Sequence, residues 1–122
     1  MRNKTVCIID DELSVRQSLG SLVRAMGALA REYESAEAFL SHGLHRPVDC
    51  VVWDIQMGHM SGVQLVAQLR AEACEVPFIF VTGHFTARRR AEAELYGALC
   101  VLEKPFDPEE LALWIGKALR GR

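Results

Sequence analysis

Short apolar runs alternate along the chain with longer segments in which apolar residues recur every three or four positions. The run Cys50–Trp53 is only four residues long and rich in β-branched and aromatic residues, which is typical of a strand buried on both faces. Thr5–Ile9 and Phe78–Val81 have the same character and also predict strands. The segment after Thr5–Ile9 predicts an amphipathic helix. Its apolar stripe consists of Val15, Leu19, Leu22, Val23 and Met26.

The rest of the chain continues this alternation. Ala28–Tyr33 predicts an edge strand, because it carries charges, and Ala98–Leu102 predicts a fifth strand. Helices are predicted after Ser35, around 63–69, over Thr86–Leu95 and after Asp107, where an N-cap aspartate precedes proline. In the fourth helix, one apolar side is predicted from Ala87, Ala91 and Leu95. Five strands alternating with five helices predict an α/β fold, a parallel sheet with helices on both faces.

Composition limits the possible classes of protein. The 122 residues fit one domain, 1–122, and half of them are hydrophobic, which is enough for a core without disulfides or structural metal. The net charge of −2 gives no general electrostatic case for nucleic-acid binding. No apolar run is long enough for a membrane span or a signal peptide, so we expect a cytoplasmic location. The four cysteines have no CxxC spacing, which favours buried, reduced thiols.

Polar residues follow four of the predicted strands. Asp10 and Asp11 come after the first strand, Asp54 after the third, Thr82 after the fourth and Lys104 after the fifth. Each residue alone has an ordinary structural explanation, such as a helix cap or a solvated lysine. Because the carboxyl ends of parallel strands meet at one edge of a sheet, the sequence predicts that the five side chains converge there.

Such a cluster has a definite chemistry. Two carboxylates about 4 Å apart repel by roughly 4 kcal/mol at an effective dielectric constant of 20. Either their pKa values rise or a cation lies among them, and an all-oxygen site with few protein ligands suits hydrated Mg²⁺. Magnesium, a nucleophilic carboxylate, Lys104 and the Thr82 hydroxyl form a set suited to phosphoryl transfer to aspartate. Gly83 has no side chain that would obstruct the phosphoryl group.

With these residues, the chain resembles a response-regulator receiver domain of two-component systems. The resemblance rests on four motifs and extends over nearly the whole chain. They are Ile9-Asp10-Asp11-Glu12, Asp54-Ile55-Gln56-Met57 with Met60-Ser61-Gly62, Val81-Thr82-Gly83-His84, and Glu103-Lys104-Pro105-Phe106. The run Ser35–Leu40 and the triplet Thr82-Gly83-His84 resemble the FixJ-like subgroup in particular.

The resemblance implies a flavodoxin-like (βα)5 fold with strand order 2-1-3-4-5. It implies that Asp54 accepts a phosphoryl group from a sensor histidine kinase. Mg²⁺, or Mn²⁺ in its place, would be ligated by Asp11, Asp54 and the main-chain carbonyl of Gln56, with Asp10 acting mostly through water. Thr82, Gly83 and Lys104 would bind the phosphoryl group.

Further implications concern regulation and partners. Lys104–Pro105 would be a cis peptide, and Gln56 and His84 would tune the lifetime of the phosphoryl group. Phosphorylation would switch the face built from the Thr86–Leu95 helix, the fifth strand and the last helix, which could also form a homodimer. The protein would be a signalling switch and not a true enzyme. A DNA-binding output domain for transcription regulation would lie beyond residue 122.

Two positions depart from the family pattern. Gly58 stands where proline usually follows the methionine, which loosens the backbone of the loop after the phosphoacceptor. Val101 stands where a tyrosine or phenylalanine usually serves as a rotating switch coupled to the threonine. Both departures support an alternative, a degenerate receiver that binds a partner without phosphorylation.

Three more hypotheses concern catalysis, metal binding and charge. A small phosphatase with an aspartyl-phosphate intermediate needs a second acid shortly after its nucleophile, and position 56 is glutamine. A zinc or proton-relay role for His59 and His84 competes with ordinary solvated loop histidines. Arg88–Arg90 resembles a nucleic-acid patch, but its spacing to Glu92 and Glu94 favours a salt-bridged helix face.

Overall fold

The computed structural model describes residues 3–43, 46–54, 67, 68, 71, 75–83, 86–95 and 97–121. Five strands in these ranges form one sheet with the order 2-1-3-4-5, and every neighbouring pair is parallel. The strands are β1 (Thr5–Ile9), β2 (Leu29–Tyr33), β3 (Cys50–Asp54), β4 (Phe78–Thr82) and β5 (Cys100–Glu103). The predicted fold class and strand order are therefore confirmed.

The helices cover both faces of this sheet. They are α1 (Leu13–Ala25), α2 (Ala36–Ala38) with a π-helical turn (Phe39–Gly43), α4 (Ala87–Leu95) and α5 (Pro108–Arg120). The predicted helix around 63–69, labelled α3, falls largely outside the described residues, although Ala67, Gln68 and Ala71 are helical. None of the helices in the described ranges is long and apolar enough to cross a membrane.

Each face of the sheet has its own core. The first core lies under α1 and α5 and includes Val52, Ile79 and the α5 side chains Leu111 and Ile115. The second core contains an aromatic cluster, in which the fully buried Trp53 contacts Phe80 edge to face at 5.5 Å between ring centroids. The strands β1, β3 and β4 are buried on both faces because helices cover both, which explains their continuous apolar runs.

The apolar side of α4 differs from the prediction. Ala87, Ala91 and Leu95 are exposed, and Leu95 retains 79% of its accessible surface. Ala93, which is 1% exposed, packs against the second core instead. The prediction selected the wrong side because it followed Leu95, and alanine is too weakly apolar to mark the buried face.

Strand boundaries also differ by one or two residues. Asp54 and Thr82 are the last residues of β3 and β4, whereas they were predicted to lie directly after these strands. Asp54 is paired with Val81 of β4, and Thr82 is paired with Glu103 of β5. β5 begins at Cys100 because the Ala98 amide donates to the Ala93 carbonyl at the end of α4.

The cysteines within the described residues are all reduced. Cys7 and Cys50 are buried as predicted, whereas Cys100 is half-buried. Burial raises the pKa of Cys7 to about 11 and that of Cys100 to about 12, so both are protonated near neutral pH.

Candidate functional site

A lysine joins two carboxylates at the carboxyl edge of the sheet. Lys104 Nζ lies 3.0 Å from Asp10 Oδ2 and 3.0 Å from Asp54 Oδ2. Asp10 follows β1, Asp54 ends β3, and Lys104 follows β5, so three non-consecutive strand ends meet around one ammonium group. The Lys104 amide donates to the Thr82 carbonyl at 2.7 Å, which brings the end of β4 to the same place.

Every polar group of Asp10 has a hydrogen-bond partner. Its amide donates to the Tyr33 carbonyl at 3.2 Å, and its carbonyl accepts from Arg16 Nη1 at 2.7 Å. Its Oδ1 accepts from the Glu12 amide at 2.9 Å, and its Oδ2 accepts from Lys104. Asp10 has no exposed surface, so these contacts replace the water that a carboxylate ordinarily requires.

Burial and the contacts between Lys104 and the aspartates shift the pKa values of Asp10 and Lys104 in opposite directions. Burial raises the pKa of Asp10 above its ordinary value, although the Glu12 amide and Lys104 both favour the ionised form. Burial also lowers the pKa of Lys104, but its hydrogen bonds to Asp10 and Asp54 outweigh burial and raise that pKa overall. Lys104 is therefore a permanent cation in the neutral range, and the site holds a carboxylate that is costly to ionise.

The acidic side chains after β1 form a compact group. Ligand oxygens of Asp10, Asp11 and Glu12 all lie within 4.8 Å of one another. Asp10 is buried, whereas Asp11 and Glu12 are exposed and face solvent. Glu12 was not among the predicted metal ligands, although its place directly after two aspartates was the available signal.

The donor set fits a hydrated Mg²⁺. All of the donors are carboxylate oxygens, which hard cations prefer, and the exposed side of the group is open to the waters that Mg²⁺ retains. Of the two predicted carboxylate ligands, Asp11 belongs to this group and Asp54 does not. The third predicted ligand, the Gln56 carbonyl, lies outside the described residues.

Two further residues of the predicted set are well defined. Thr82 has no exposed surface, and Asp54 retains 7% of its own. Their strands are neighbours in the sheet, so the hydroxyl and the carboxylate belong to adjacent strand ends. Gly83, directly after Thr82, is exposed. The Lys104–Pro105 peptide bond is cis, the form that the resemblance implies.

The remaining predicted positions lie partly inside and partly outside the described ranges. His84, which was predicted to tune the lifetime of the phosphoryl group, lies outside the described residues, as do Gly58 and His59. Val101 is half-buried, lies opposite Phe80 in the sheet and packs against the second core. In α4, Arg90 and Glu94 form the predicted i,i+4 pair at 3.1 Å, with both side chains largely exposed.

Comparison with known proteins then decides the family. The sequence model of one protein family, the response regulator receiver domain, matches residues 6–115 of this chain. The chain belongs to this family. The receiver is 38% identical over 102 residues to the transcriptional regulatory protein FixJ of Azorhizobium caulinodans, covering 84% of this chain and 48% of FixJ. It is 36% identical over 115 residues to the transcriptional regulatory protein TdiR of Thauera aromatica, covering 94% of this chain and 51% of TdiR.

Solved structures agree with this assignment. The crystal structure of FixJ-N matches the receiver with a TM-score of 0.89 and 34% identity, covering 100% of this chain and 98% of the other. Full-length FixJ from B. japonicum matches with a TM-score of 0.89 and 31% identity, covering 98% of this chain and 59% of the other. The receiver thus spans about half the length of the curated relatives that it matches.

Proposed function

We propose that this receiver accepts a phosphoryl group on Asp54 from the phosphohistidine of a sensor histidine kinase, in a reaction that requires Mg²⁺. The observation that carries the proposal is the position of Lys104 Nζ, 3.0 Å from an oxygen of Asp10 and from an oxygen of Asp54. A fixed ammonium at a nucleophilic carboxylate can stabilise the charge that develops on a transferred phosphoryl group.

The transfer exchanges one phosphorus bond for another. An Asp54 carboxylate oxygen attacks phosphorus, the bond from phosphorus to the imidazole nitrogen breaks, and the kinase histidine leaves as the free side chain. Lys104 then pairs with a phosphoryl oxygen, and the Thr82 hydroxyl donates a hydrogen bond to another. Gly83 leaves room for the group because it has no side chain.

The residues proposed to hold Mg²⁺ are Asp11, Asp54 and the Gln56 carbonyl, with Asp10 bound through water. When bound, the ion supplies neutralisation of phosphoryl oxygens in the transition state. Lys104, which contacts Asp54 Oδ2, would contribute the same kind of stabilisation. The buried Asp10 holds Lys104 in place, because its Oδ2 accepts from the ammonium.

The proposed kinase contact lies beside Lys104. A largely apolar cavity of about 360 Å³ opens between α1 and the segment after β5. Its lining includes Ser14, Val15, Ser18, Leu22, Lys104 and Phe106. The cavity is the proposed docking site for the kinase segment that carries the phosphohistidine, because it opens beside Lys104. Ser18→Arg places a large charged side chain in the cavity. We expect it to slow phosphorylation by an autophosphorylated sensor histidine kinase and to leave phosphorylation by acetyl phosphate unchanged.

The proposed output is a shift between two conformers of the face built from α4, β5 and α5. The added phosphoryl charge would favour a conformer that binds a downstream partner, a DNA-binding output domain or a second copy of the receiver. Regulation of transcription is proposed because FixJ and TdiR are named transcriptional regulatory proteins. With Val101 in place of an aromatic residue, this relay would depend on Thr82 and the chain around it. We propose no catalytic turnover beyond self-phosphorylation and slow dephosphorylation.

The deciding experiment uses a small phosphoryl donor. Incubation with acetyl phosphate and MgCl₂ should add one phosphoryl group to the intact mass of the wild-type chain. Asp54→Asn and addition of EDTA should each abolish the gain. A wild-type chain that remains unmodified would overturn the proposal and favour the phosphorylation-independent binding module.

A further inference from the structure

Arg16 links the acid-bearing turn to two elements of the scaffold. It lies in the first turn of α1, where its amide donates to the Glu12 carbonyl at 3.0 Å. Its Nη1 donates to the Asp10 main-chain carbonyl at 2.7 Å. Its Nε lies 4.0 Å from Glu32 Oε1 on β2, and its side chain is only 14% exposed. One guanidinium therefore connects α1, the end of β1 and the edge strand.

The Asp10 carbonyl is a sensitive place for such a contact. This carbonyl belongs to the peptide bond between Asp10 and Asp11. Because the peptide unit is planar, the orientation of the carbonyl sets the direction from which the Asp11 side chain projects. Glu12 is the N-cap residue of α1 and makes no capping bond with its own side chain among the described contacts. The direction of the turn therefore depends on bonds to Asp10, and Arg16 supplies the bond to its carbonyl.

We propose that Arg16 is a positioning residue, which holds the Asp10–Asp11 peptide in the orientation that presents the acidic side chains to Mg²⁺. Glu32 anchors Arg16 from β2. This inference rests on the proposed function and extends it to a residue outside the metal and phosphoryl sites. It is a claim about preorganisation, since groups around a metal site orient the ligands and set their affinity.

Charge alone predicts the opposite result, which makes the inference testable. A guanidinium near an acidic site repels a divalent cation, so its removal should tighten Mg²⁺ binding if charge were its only effect. If Arg16 positions the turn, its removal should weaken Mg²⁺ binding despite the lost repulsion. The sign of the change in affinity therefore separates the two explanations.

The experiment compares Arg16→Met, Arg16→Lys and Glu32→Gln with a matched control, Arg24→Met. Arg24 also lies 4.0 Å from Glu32, but it is 55% exposed. Mg²⁺ affinity is read from the fluorescence of Trp53, which precedes Asp54, in a Trp114→Phe background. Rates of phosphorylation are measured at several concentrations of acetyl phosphate and of MgCl₂.

We expect Arg16→Met to weaken Mg²⁺ binding by about tenfold and to raise, in similar proportion, the MgCl₂ concentration that phosphorylation requires. The rate at saturating Mg²⁺ should change much less. Arg16→Lys should recover most of the affinity, because it retains a donor for the Asp10 carbonyl. Glu32→Gln should give a smaller loss of the same sign, and Arg24→Met should stay within about twofold of wild type.

Unchanged or tighter Mg²⁺ binding in a folded Arg16→Met chain overturns the inference, even if its melting temperature falls. If Arg16→Met does not fold, Glu32→Gln decides, and wild-type Mg²⁺ affinity in that variant overturns the inference. A wild-type chain that neither binds Mg²⁺ nor accepts phosphoryl would instead overturn the proposed function, and the inference with it. A wild-type chain that does both, while Arg16→Met matches its Mg²⁺ affinity, overturns the inference alone.

Discussion

The helices α1 and α5 both begin at the carboxyl edge of the sheet, but their first turns are built differently. α5 begins with its own cap, because Asp107 Oδ1 accepts from the Glu109 amide at 2.9 Å and proline occupies the first helical position. α1 begins after Glu12, whose amide donates to Asp10 Oδ1 at 2.9 Å. The first turn of α1 therefore shares a carboxylate with the functional site, whereas the first turn of α5 is independent of it.

The difference shows where stability and function are coupled. A change at Asp10 alters the start of α1 as well as the site, because its carboxylate accepts from both the Glu12 amide and Lys104. A change at Asp107 alters helix stability alone. Substitutions in the core, at the site, at the α5 cap and on the surface of α4 should therefore have separate and decreasing effects.

Core packing should hold α5 in place without any help from the site. Leu111→Ala removes a fully buried side chain, so we expect it to lower the free energy of unfolding by about 3 kcal/mol. Leu113→Ala on the same helix should change it by less than about 0.5 kcal/mol, since Leu113 is 71% exposed. Urea titration measures both, and Mg²⁺ affinity should be unchanged in each. A large loss of affinity in Leu111→Ala would show that α5 is coupled to the site.

Removal of the bridging cation should reduce stability in a pH-dependent way. Lys104→Met leaves Asp10 and Asp54 without their shared partner, and we expect a loss of about 2 kcal/mol near pH 7. The pKa of Asp10, already raised by burial, should rise further, so the folded chain holds its proton more tightly than the unfolded chain. Stability then falls as the pH rises from the unfolded pKa through the raised folded pKa.

Urea midpoints at several pH values test this sign. The deficit of Lys104→Met against wild type should be smaller in acid than at pH 7. A deficit that grows as the pH is lowered would contradict the explanation.

The independent cap should contribute stability without affecting the site. Asp107→Ala removes the acceptor for the Glu109 amide, and we expect a loss of about 1 kcal/mol. Phosphorylation by acetyl phosphate and Mg²⁺ affinity should match wild type. A change in either would mean that the two helix starts are not separate, and the contrast between them would fail.

The exposed pair on α4 should have the smallest effect. Arg90 and Glu94 are 65% and 64% exposed, so Arg90→Ala should cost about 0.3 kcal/mol, and less at high salt. Thermal melts at low and high ionic strength measure the difference. A cost above about 1 kcal/mol would show that α4 depends on this pair and not on packing.

The sheet and the converging side chains could be predicted because their signals are strong and local. Continuous apolar runs identified the buried strands, and an α/β alternation fixes which strand ends share an edge. From that rule alone, Asp10, Asp54 and Lys104 were expected together, although Lys104 is 94 residues from Asp10 along the chain.

Other features depend on three-dimensional contacts that leave little trace in sequence. The buried side of α4 could not be identified, because its alanines give no hydropathy contrast. Arg16 carries no motif signal of its own, since its significance lies in a hydrogen bond to a main-chain carbonyl and in a strand that the sequence places 16 residues away. Glu12 was not predicted as a metal ligand, because an acidic residue at the start of a helix is ordinarily explained by the helix itself.

The registers of β3, β4 and β5 fix the positions of Asp54 and Thr82 relative to each other. Asp54 is paired with Val81, and Thr82 is paired with Glu103, so backbone ladders hold both residues at their positions. A strand cannot slide by one residue without turning every buried side chain to the opposite face. In the proposed switch, information about the state of Asp54 would therefore leave through rotating side chains or connecting segments, while the sheet serves as a stationary frame of reference.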